Sequence, residues 1–387
     1  MSRKPTNPIR VMRVIARMNV GGPAVQVSGL MRGFNAAEFD HRLYTGYCAS
    51  DEADYLDTVA TDVNAFRIQG FGRRVSLGGD IKAFITLVKE IRTFKPHVIH
   101  THTAKAGFLG RIASIVSLQR SIRVHTFHGH LLNGYFGSFK RSLVVIAEKS
   151  LALFTDELLA VGDKVRQDLL NAGIGSKNKF GLMPPGLGIG SLSPKEASQK
   201  VLGLPSDRLQ CAFIGRVTQI KRPDRFLNVV SEIKKRGVEL DFFIAGDGEL
   251  LEMCRERIKK EDLPVTVLGW QSDIQRVLSA ADIVVLTSDN EGTPLSLIQA
   301  GMAGLPVVTT NVGSVPEVVL DGVTGFITAL DVQEIADALE KLVADKGLRA
   351  QYAVAAQEFT LAHFGVIRLV SDHEELYKKL ISSRAKS

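Results

Sequence analysis

Two short stretches of the sequence hold side chains suited to phosphate and sugar. In IGRVTQIKRPD, residues 214–224, a strand-like run stops at Gly215, Arg216 and Lys221 follow in a loop, and Pro223 suits the first position of a helix. Two cations beside a helix N-terminus stabilise an anion such as a phosphate. A solvated basic loop would carry the same letters. In NEGTPLSLIQAG, residues 290–301, Glu291 stands at the end of a strand-like run and Gly292 admits a close ligand. Thr293 reads as an N-cap and Pro294 as the first helical residue. The amides of Leu295 and Ser296 are then left to face an anion or a polar ligand. Gln299 lies one helical turn beyond Leu295 on the same face. Its neighbours Leu297, Ile298 and Ala300 argue that it is partly buried, and a buried amide needs a partner. The bland alternative is an exposed loop acid and a surface amide.

Two further clusters stand in the first half. NVGGPAVQVSGL, residues 19–30, places Gly21 and Gly22 between a strand pattern and a helical one, as a phosphate- or sugar-facing loop would be. It is not G-x-G-x-x-G, and no Walker A sequence occurs, so nicotinamide and P-loop readings are weak. Histidines gather in HVIHTHTAKAGFLGR and HTFHGHLLNGYFG. His100 and His102 alternate on one strand face, and His128 and His130 flank Gly129. Imidazole is a common metal ligand. No acid accompanies these histidines and no H-E-x-x-H appears, so a metal site is not expected. There is also no D-x-D to hold a divalent metal on a nucleotide diphosphate.

These groups need a scaffold. A chain of 387 residues exceeds one ordinary core and suits two domains. Composition that is 45% hydrophobic and 23% charged is that of a soluble globular protein. Cys48, Cys211 and Cys254 are distant and odd in number, which excludes a disulfide framework and a cysteine zinc site and fits a reducing cytosol. Arg13 and Arg17 break the apolar start, so no signal peptide is read there. No run reaches the roughly 18–20 apolar residues of a spanning helix. Residues 1–190 carry 25 Lys/Arg against 14 Asp/Glu, and the remainder 23 against 27. A basic half suits nucleic acid, an anionic membrane or an anionic substrate. With no zinc-finger spacing, aromatic RNA-binding motif or arginine-rich tail, nucleic acid is not expected. YFGSFKRSLVVIAEKSLALF, residues 135–154, is amphipathic and basic. It reads either as a peripheral contact with an anionic membrane or as a core helix with a solvated basic face.

Short β-branched runs alternate with helical periodicity through both halves. Strands are expected at 11–18, 41–47, 97–102, 123–128, 157–161 and 179–183, then at 209–214, 240–245, 266–268, 283–287, 307–309 and 326–327. Helices are expected at 80–94, 105–116, 223–236, 249–260, 273–279, 294–303 and 332–345. Such alternation predicts doubly wound parallel sheets in an α/β protein. MPPGLGIGSLSPKEAS reads as the linker, which predicts domains over 1–190 and 191–365. Ligands of such folds bind at the carboxyl ends of strands, here in a cleft faced by both domains.

The chain resembles the family 4 glycosyltransferases of the GT-B fold, in which two Rossmann-like domains face each other. The resemblance is an ordered series over nearly the whole chain: GGPAVQ, VIHTHTAKAGFLGR, HTFHGHLLNGYF, MPPGL, IGRVTQIKRPD, IAGDGEL, LGWQSDI, NEGTPLSLIQAGMAGLPVV and GSVPEVVLDGVTGF. HTHTAKAG and HGHLLNGYF look like those of bacterial enzymes that build surface or capsular polysaccharide. The resemblance implies retaining transfer of a hexosyl or N-acetylhexosaminyl group from a nucleotide diphosphate sugar, UDP-sugars favoured. The acceptor would be a hydroxyl of a saccharide or lipid-linked saccharide, with no obligatory metal or cofactor. It implies that Arg216 and Lys221 neutralise the diphosphate in place of a metal. Glu291 is the first acid of an E-x7-E motif and binds sugar hydroxyls. Gly215 and Gly292 through Ser296 line the donor, and Gly21 and Gly22 close on the diphosphate. His128 touches the transferred sugar, and Asp247 and Trp270 lie near the nucleoside.

The chain departs from the family at Gln299, where the second acid would grip the ribose. An amide oxygen accepts less than a carboxylate does, so weaker donor binding is expected. The implied helix 366–387 packs back on the N-terminal domain, and the chain works as a monomer or dimer in the cytoplasm, at or near the inner face of the membrane. Two other classes remain open: a GT-B nucleotide-sugar epimerase or hydrolase, and a catalytically weak nucleotide-sugar-binding protein.

Overall fold

The computed structural model describes residues 7–129 and 138–386. His130 and the opening of the amphipathic stretch at 135–137 lie outside the described residues. The chain forms two compact units, residues 1–187 with 366–387, and residues 188–365.

The first domain is built on β1 (Ile9–Ile15), β2 (Phe39–Thr45), β3 (Ala65–Arg67), β4 (Val98–His102), β5 (Ile122–Phe127), β6 (Glu157–Ala160) and β7 (Phe180–Leu182). All pair in parallel, in the order β3-β2-β1-β4-β5-β6-β7. The helices between them are α1 (Gly22–Gly33), α2 (Tyr55–Thr58), α3 (Leu77–Phe94), α4 (Ala104–Val116), α5 (Ser138–Leu153) and α6 (Asp163–Asn171). Short β-branched runs alternating with helical periodicity made six of the seven legible. β3 was not expected, because three residues between polar loops carry no periodicity. β1 stops at Ile15 and not at Met18. The carbonyls of Ala16 and Met18 accept from Gly46 and Tyr55 in the neighbouring loops, which draws the chain out of the sheet toward Gly21.

The second domain repeats the plan. Its strands are β8 (Leu209–Ile214), β9 (Leu240–Ala245), β10 (Val265–Gly269), β11 (Ile283–Leu286), β12 (Val307–Thr310) and β13 (Gly325–Thr328). They are parallel, in the order β10-β9-β8-β11-β12-β13. Its helices are α7 (Lys195–Leu202), α8 (Pro223–Lys235), α9 (Leu251–Glu261), α10 (Ile274–Ala280), α11 (Leu295–Met302), α12 (Val332–Ala344) and α13 (Lys346–Phe364). Phe213, Phe226, Val230, Phe242, Ile335 and Leu339 belong to one buried core between sheet and helices. Cys211 and Cys254 are buried free thiols in it.

The last helix, α14 (Val366–Lys386), belongs to the first domain. Its Leu369, Val370 and Tyr377 join Val11, Leu30, Phe34 and Val98 in one apolar cluster, so α14 and α1 cover the same sheet face. Gly33 marks that contact, because a Cβ there would meet a Val370 methyl at 2.3 Å.

In each sheet the first strand sits between two strands whose crossovers run in opposite directions. The pairs β1/β4 and β8/β11 are therefore switch points, where loops at the carboxyl ends of α/β strands part and leave room for a ligand.

Candidate functional site

The loops after β8 and β11 hold the densest chemistry of the second domain. Lys221 Nζ donates to Glu291 Oε1 at 2.5 Å, and Ser288 Oγ donates to the same oxygen at 2.5 Å. Glu291 is buried at 8% exposure, so it is not the exposed loop acid that its sequence position allowed. A buried carboxylate persists only when paired and hydrogen-bonded, and these two contacts provide that.

A second set of charges braces the two loops against each other. Arg222 binds both Asp224 and Asp289, while buried Arg225 reaches the Thr287 carbonyl at 2.6 Å and Asp289 at 2.7 Å. The Asp289 amide donates to the Ile220 carbonyl at 2.9 Å. Burial alone would raise the Asp289 carboxyl, but the Arg222 and Arg225 hydrogen bonds hold it below its ordinary value. Hydrogen bonds to Asp224 and Asp289 push the Arg222 guanidinium up. Sequence reading passed over Arg222, Arg225, Ser288 and Asp289. The signal was the opposite charge of KRPDR and SDNE, which has no meaning until the strand order makes β8 and β11 neighbours.

Backbone contact completes the edge. A Cβ on Gly313, whose φ is +53°, would lie 1.7 Å from the Glu291 carbonyl oxygen, and the Ser314 amide donates to that oxygen at 3.3 Å. Only glycine permits this approach. Likewise a Cβ on Gly246 would lie 1.8 Å from the Gly215 oxygen, where the Val217 amide donates to the Asp247 carbonyl. Gly215, Arg216 and Asp247 thus stand on adjoining loops. Arg216 and Asp247 are exposed, as is Trp270 just beyond β10.

At α11 the cap differs from the sequence reading. Pro294, with φ −74° and ψ 99°, is the N-cap in place of Thr293, and the helix opens at Leu295. The Leu297 and Ile298 amides bond the Pro294 carbonyl, so Leu295 and Ser296 occupy the first turn. No acid stands in that turn. Gln299 is half-buried on the same helix.

The first domain holds a different arrangement. Arg13, fully buried on β1, sits opposite His100 in the ladder, and His102 and Thr126 continue the same face on β4 and β5. His100 and His102 stack at 4.4 Å. His102 Nδ1 lies 2.8 Å from His128 Nε2, just beyond β5. Burial, then the charge of Arg13, pushes His128 down to about 3, and burial likewise holds His41, His100, His102 and His125 well below their ordinary value. These rings are neutral near pH 7. Among the described residues no three metal-ligating side chains gather. Gly21 caps α1 at the carboxyl end of β1, with Gly22 and Pro23 opening the helix and no acid in its first turn.

Comparison with known proteins agrees with this division. The family model for glycosyl transferases group 1 matches residues 194–359, and that for the glycosyl transferase 4-like domain matches residues 21–186. The UDP-Gal:alpha-D-GlcNAc-diphosphoundecaprenol alpha-1,3-galactosyltransferase of Escherichia coli is 28% identical over 345 residues, 86% of this chain and 87% of its own. The capsular polysaccharide biosynthesis glycosyltransferase CapM of Staphylococcus aureus is 25% identical, over 72% of this chain and 75% of its own. Among solved structures, HepE of Anabaena in complex with UDP superposes with a TM-score of 0.81 at 19% identity, covering 96% of this chain and all of that one.

Proposed function

We propose, from the premise that this chain belongs to the group 1 glycosyl transferases with a glycosyl transferase 4-like N-terminal domain, that its donor is a UDP-hexose or UDP-N-acetylhexosamine. The acceptor is the hydroxyl of a lipid-linked saccharide in surface polysaccharide synthesis, and the anomeric configuration is retained. The observation that carries the reading is the Lys221–Glu291 pair, a cation and an acid 2.5 Å apart on the two loops of the switch point. A nucleotide sugar offers the complementary pair, an anionic diphosphate next to a ring of hydroxyl donors. Relatives named for a UDP-galactose reaction and for capsule synthesis support the substrate class.

In this reading Lys221, Arg216 and the N-terminus of α11 stabilise the departing diphosphate by preorganised charge. Glu291 accepts from sugar hydroxyls and offsets the positive charge that develops on the ring. Gly215, Gly292, Thr293, Pro294, Leu295 and Ser296 let backbone approach the donor, Gly21 and Gly22 contribute the α1 terminus, and Asp247 and Trp270 serve the nucleoside. His128 contacts the transferred sugar. Lysine and arginine charge do the work of a metal, so turnover continues in excess EDTA.

The acceptor's lipid implies work at a membrane surface. No helix among the described residues is long and apolar enough to cross one. The outer face of α3 instead exposes Leu77, Ile81 and Ile85 at four-residue spacing, with Lys82 and Lys89 beside them, and α5 exposes Leu143 and Ile146. An apolar stripe flanked by cations suits an anionic bilayer. Flotation with phosphatidylglycerol vesicles at low salt tests this, and failure to float removes it.

The test of the whole reading is incubation with UDP-galactose, UDP-glucose and their N-acetyl forms, with and without undecaprenyl-diphosphate-linked GlcNAc, followed by NMR of the product anomer. Transfer with retention is expected. UDP release at an equal rate without acceptor would favour a hydrolase, and an inverted anomer would remove the retaining assignment.

A further inference from the structure

Inside the first domain a cation sits among neutral rings. Arg13 donates from Nε to His41 Nε2 at 2.9 Å, from Nη1 to His102 Nε2 at 2.6 Å and from Nη2 to Tyr377 Oη of α14 at 2.9 Å. A guanidinium only donates, so each of these atoms accepts. An imidazole that accepts at Nε2 while neutral carries its proton on Nδ1. His102 is therefore an Nδ1–H donor, and that nitrogen faces His128 Nε2 at 2.8 Å. His128 must then accept at Nε2 and hold its own proton on Nδ1. His128 Nδ1 is sealed from solvent and has no hydrogen-bond partner among the described residues. His41 Nδ1 is left over in the same way, but His41 lies within β2, whereas His128 stands just past the carboxyl end of β5, where ligands of such sheets bind, so its donor is the one a ligand can meet.

We propose that Arg13, acting through His102, is a positioning residue that fixes the tautomer of His128, so that His128 meets the transferred saccharide as an Nδ1–H donor. The inference rests on the reading of this chain as a sugar transferase whose His128 contacts the sugar. It assigns a direction to that contact: His128 donates to a saccharide oxygen and does not take the acceptor's proton at that nitrogen. It also gives the buried cation a purpose. Tyr377 keeps Arg13 in place from the other side, receiving its Nη2 donor and lying 2.5 Å from His100 Nδ1.

The direction of the chain can be reversed by one substitution. In His102→Gln the amide oxygen still accepts from Arg13 while its NH2 donates to His128. In His102→Glu the carboxylate only accepts, so His128 turns its proton to Nε2 and Nδ1 becomes an acceptor. Long-range 1H–15N spectra of the full chain with 15N-labelled histidine at pH 7.5, with His128 assigned by its absence in His128→Gln, read the tautomer directly. The expected result is Nδ1–H in the wild type and in His102→Gln, and Nε2–H in His102→Glu. With undecaprenyl-diphosphate-linked GlcNAc present, UDP release from the UDP-sugar that the wild type turns over should fall severalfold in kcat for His102→Gln and about 100-fold for His102→Glu, as loss of one aimed donor does, with donor KM little changed in both. A wild-type His128 protonated at Nε2, or equal kcat losses in the two variants, overturns the proposal. The spectrum needs no turnover, so a wild type that releases UDP from none of UDP-galactose, UDP-glucose and their N-acetyl forms in the presence of that acceptor counts against the functional reading and leaves the tautomer assignment to stand or fall by the spectrum.

Discussion

The two domains share a fold, and beside their switch points they place charge differently. The second keeps acids and bases in pairs at the carboxyl edge of its sheet, where Lys221 meets Glu291 and Arg222 and Arg225 meet Asp289. The first buries Arg13 among imidazoles with no carboxylate on it among the described residues, and keeps those imidazoles neutral by burial and by the nearby cation. Paired charges at an edge can be handed to a ligand one at a time. Neutral rings around one cation cannot be exchanged, but they orient each other. The difference fits one domain that holds a charged donor and another that aims a hydrogen bond.

Breaking the edge pair should have the largest effect. Lys221→Ala removes charge from the leaving diphosphate and strands Glu291, so kcat/KM for the donor should fall about 10³-fold, the scale of losing a preorganised electrostatic group. Glu291→Ala should lower kcat, because contacts to the sugar tighten as the ring becomes cationic. Steady-state kinetics at varied UDP-sugar checks both, and an unchanged kcat in either variant contradicts the assignment.

Acid should break the other domain first. Six of the nine histidines, the buried His100, His102, His125 and His373 and the half-buried His41 and His128, lie in the first domain with their proton affinity lowered, down to about 3 for His128 and His373. The only histidine of residues 188–365 is the exposed His363. Unfolded, each ring takes a proton near pH 6.5, while the folded rings refuse it, so stability is complete above that pH and is lost as pH falls toward the folded values. Each ring costs about 1.4 kcal/mol per pH unit. Six of them reach on the order of 8 kcal/mol per unit, enough to consume a typical 5–15 kcal/mol within about two units. Hydrogen exchange of the full chain should therefore show residues 9–127 opening between about pH 6 and 4.5 while residues 209–328 stay protected. Simultaneous opening of both would show that the histidines do not set the limit.

A smaller break separates the position of Glu291 from its chemistry. Gly313→Ala puts a methyl within 1.7 Å of the Glu291 carbonyl oxygen and must move that strand end. A shift of this kind should cost about tenfold to 100-fold in kcat with all charges intact. An unaltered kcat would mean the carboxylate tolerates displacement.

The fold was legible because short β-branched runs alternate with helical periodicity in both halves, which is the pattern of parallel sheets, and twelve of thirteen strands were found this way, while β3 was not. The phosphate- and sugar-type side chains were legible as residue types in loops after strands. What the sequence could not show is which of them meet. Arg13 reads as an interruption in an apolar start, and it becomes the centre of a buried network only when β1 lies beside β4 and α14 returns from 364 residues away to lay Tyr377 on it. Glu291 reads equally as an exposed acid, and Gly313 closes over it only because β12 lies beside β11. Alternation did place His100 and His102 on one face, since a period of two survives without tertiary information.

The smallest expected effect lies at Gln299, half-buried on α11 one turn beyond Leu295. If it holds only the ribose, its contacts are equal in the ground and transition states, and Gln299→Ala should raise donor KM with little change in kcat. Gln299→Glu would restore the acid implied by the resemblance. A charge-assisted hydrogen bond exceeds a neutral one by about 1 kcal/mol, so donor KM should fall about fivefold. The opposing term is desolvation: no Lys or Arg bonds Gln299 among the described residues, and a new carboxylate on a half-buried helix face without the donor bound is unpaired. These terms separate by state. A ribose that supplies two hydroxyl donors offsets the desolvation only in the complex, so Gln299→Glu should lower the melting temperature of the free chain while widening the shift that UDP produces. A donor KM that rises in Gln299→Glu, with no wider UDP shift, would show a pocket adapted to the amide, and a large kcat loss in Gln299→Ala would place this residue at the transferred sugar instead of the ribose.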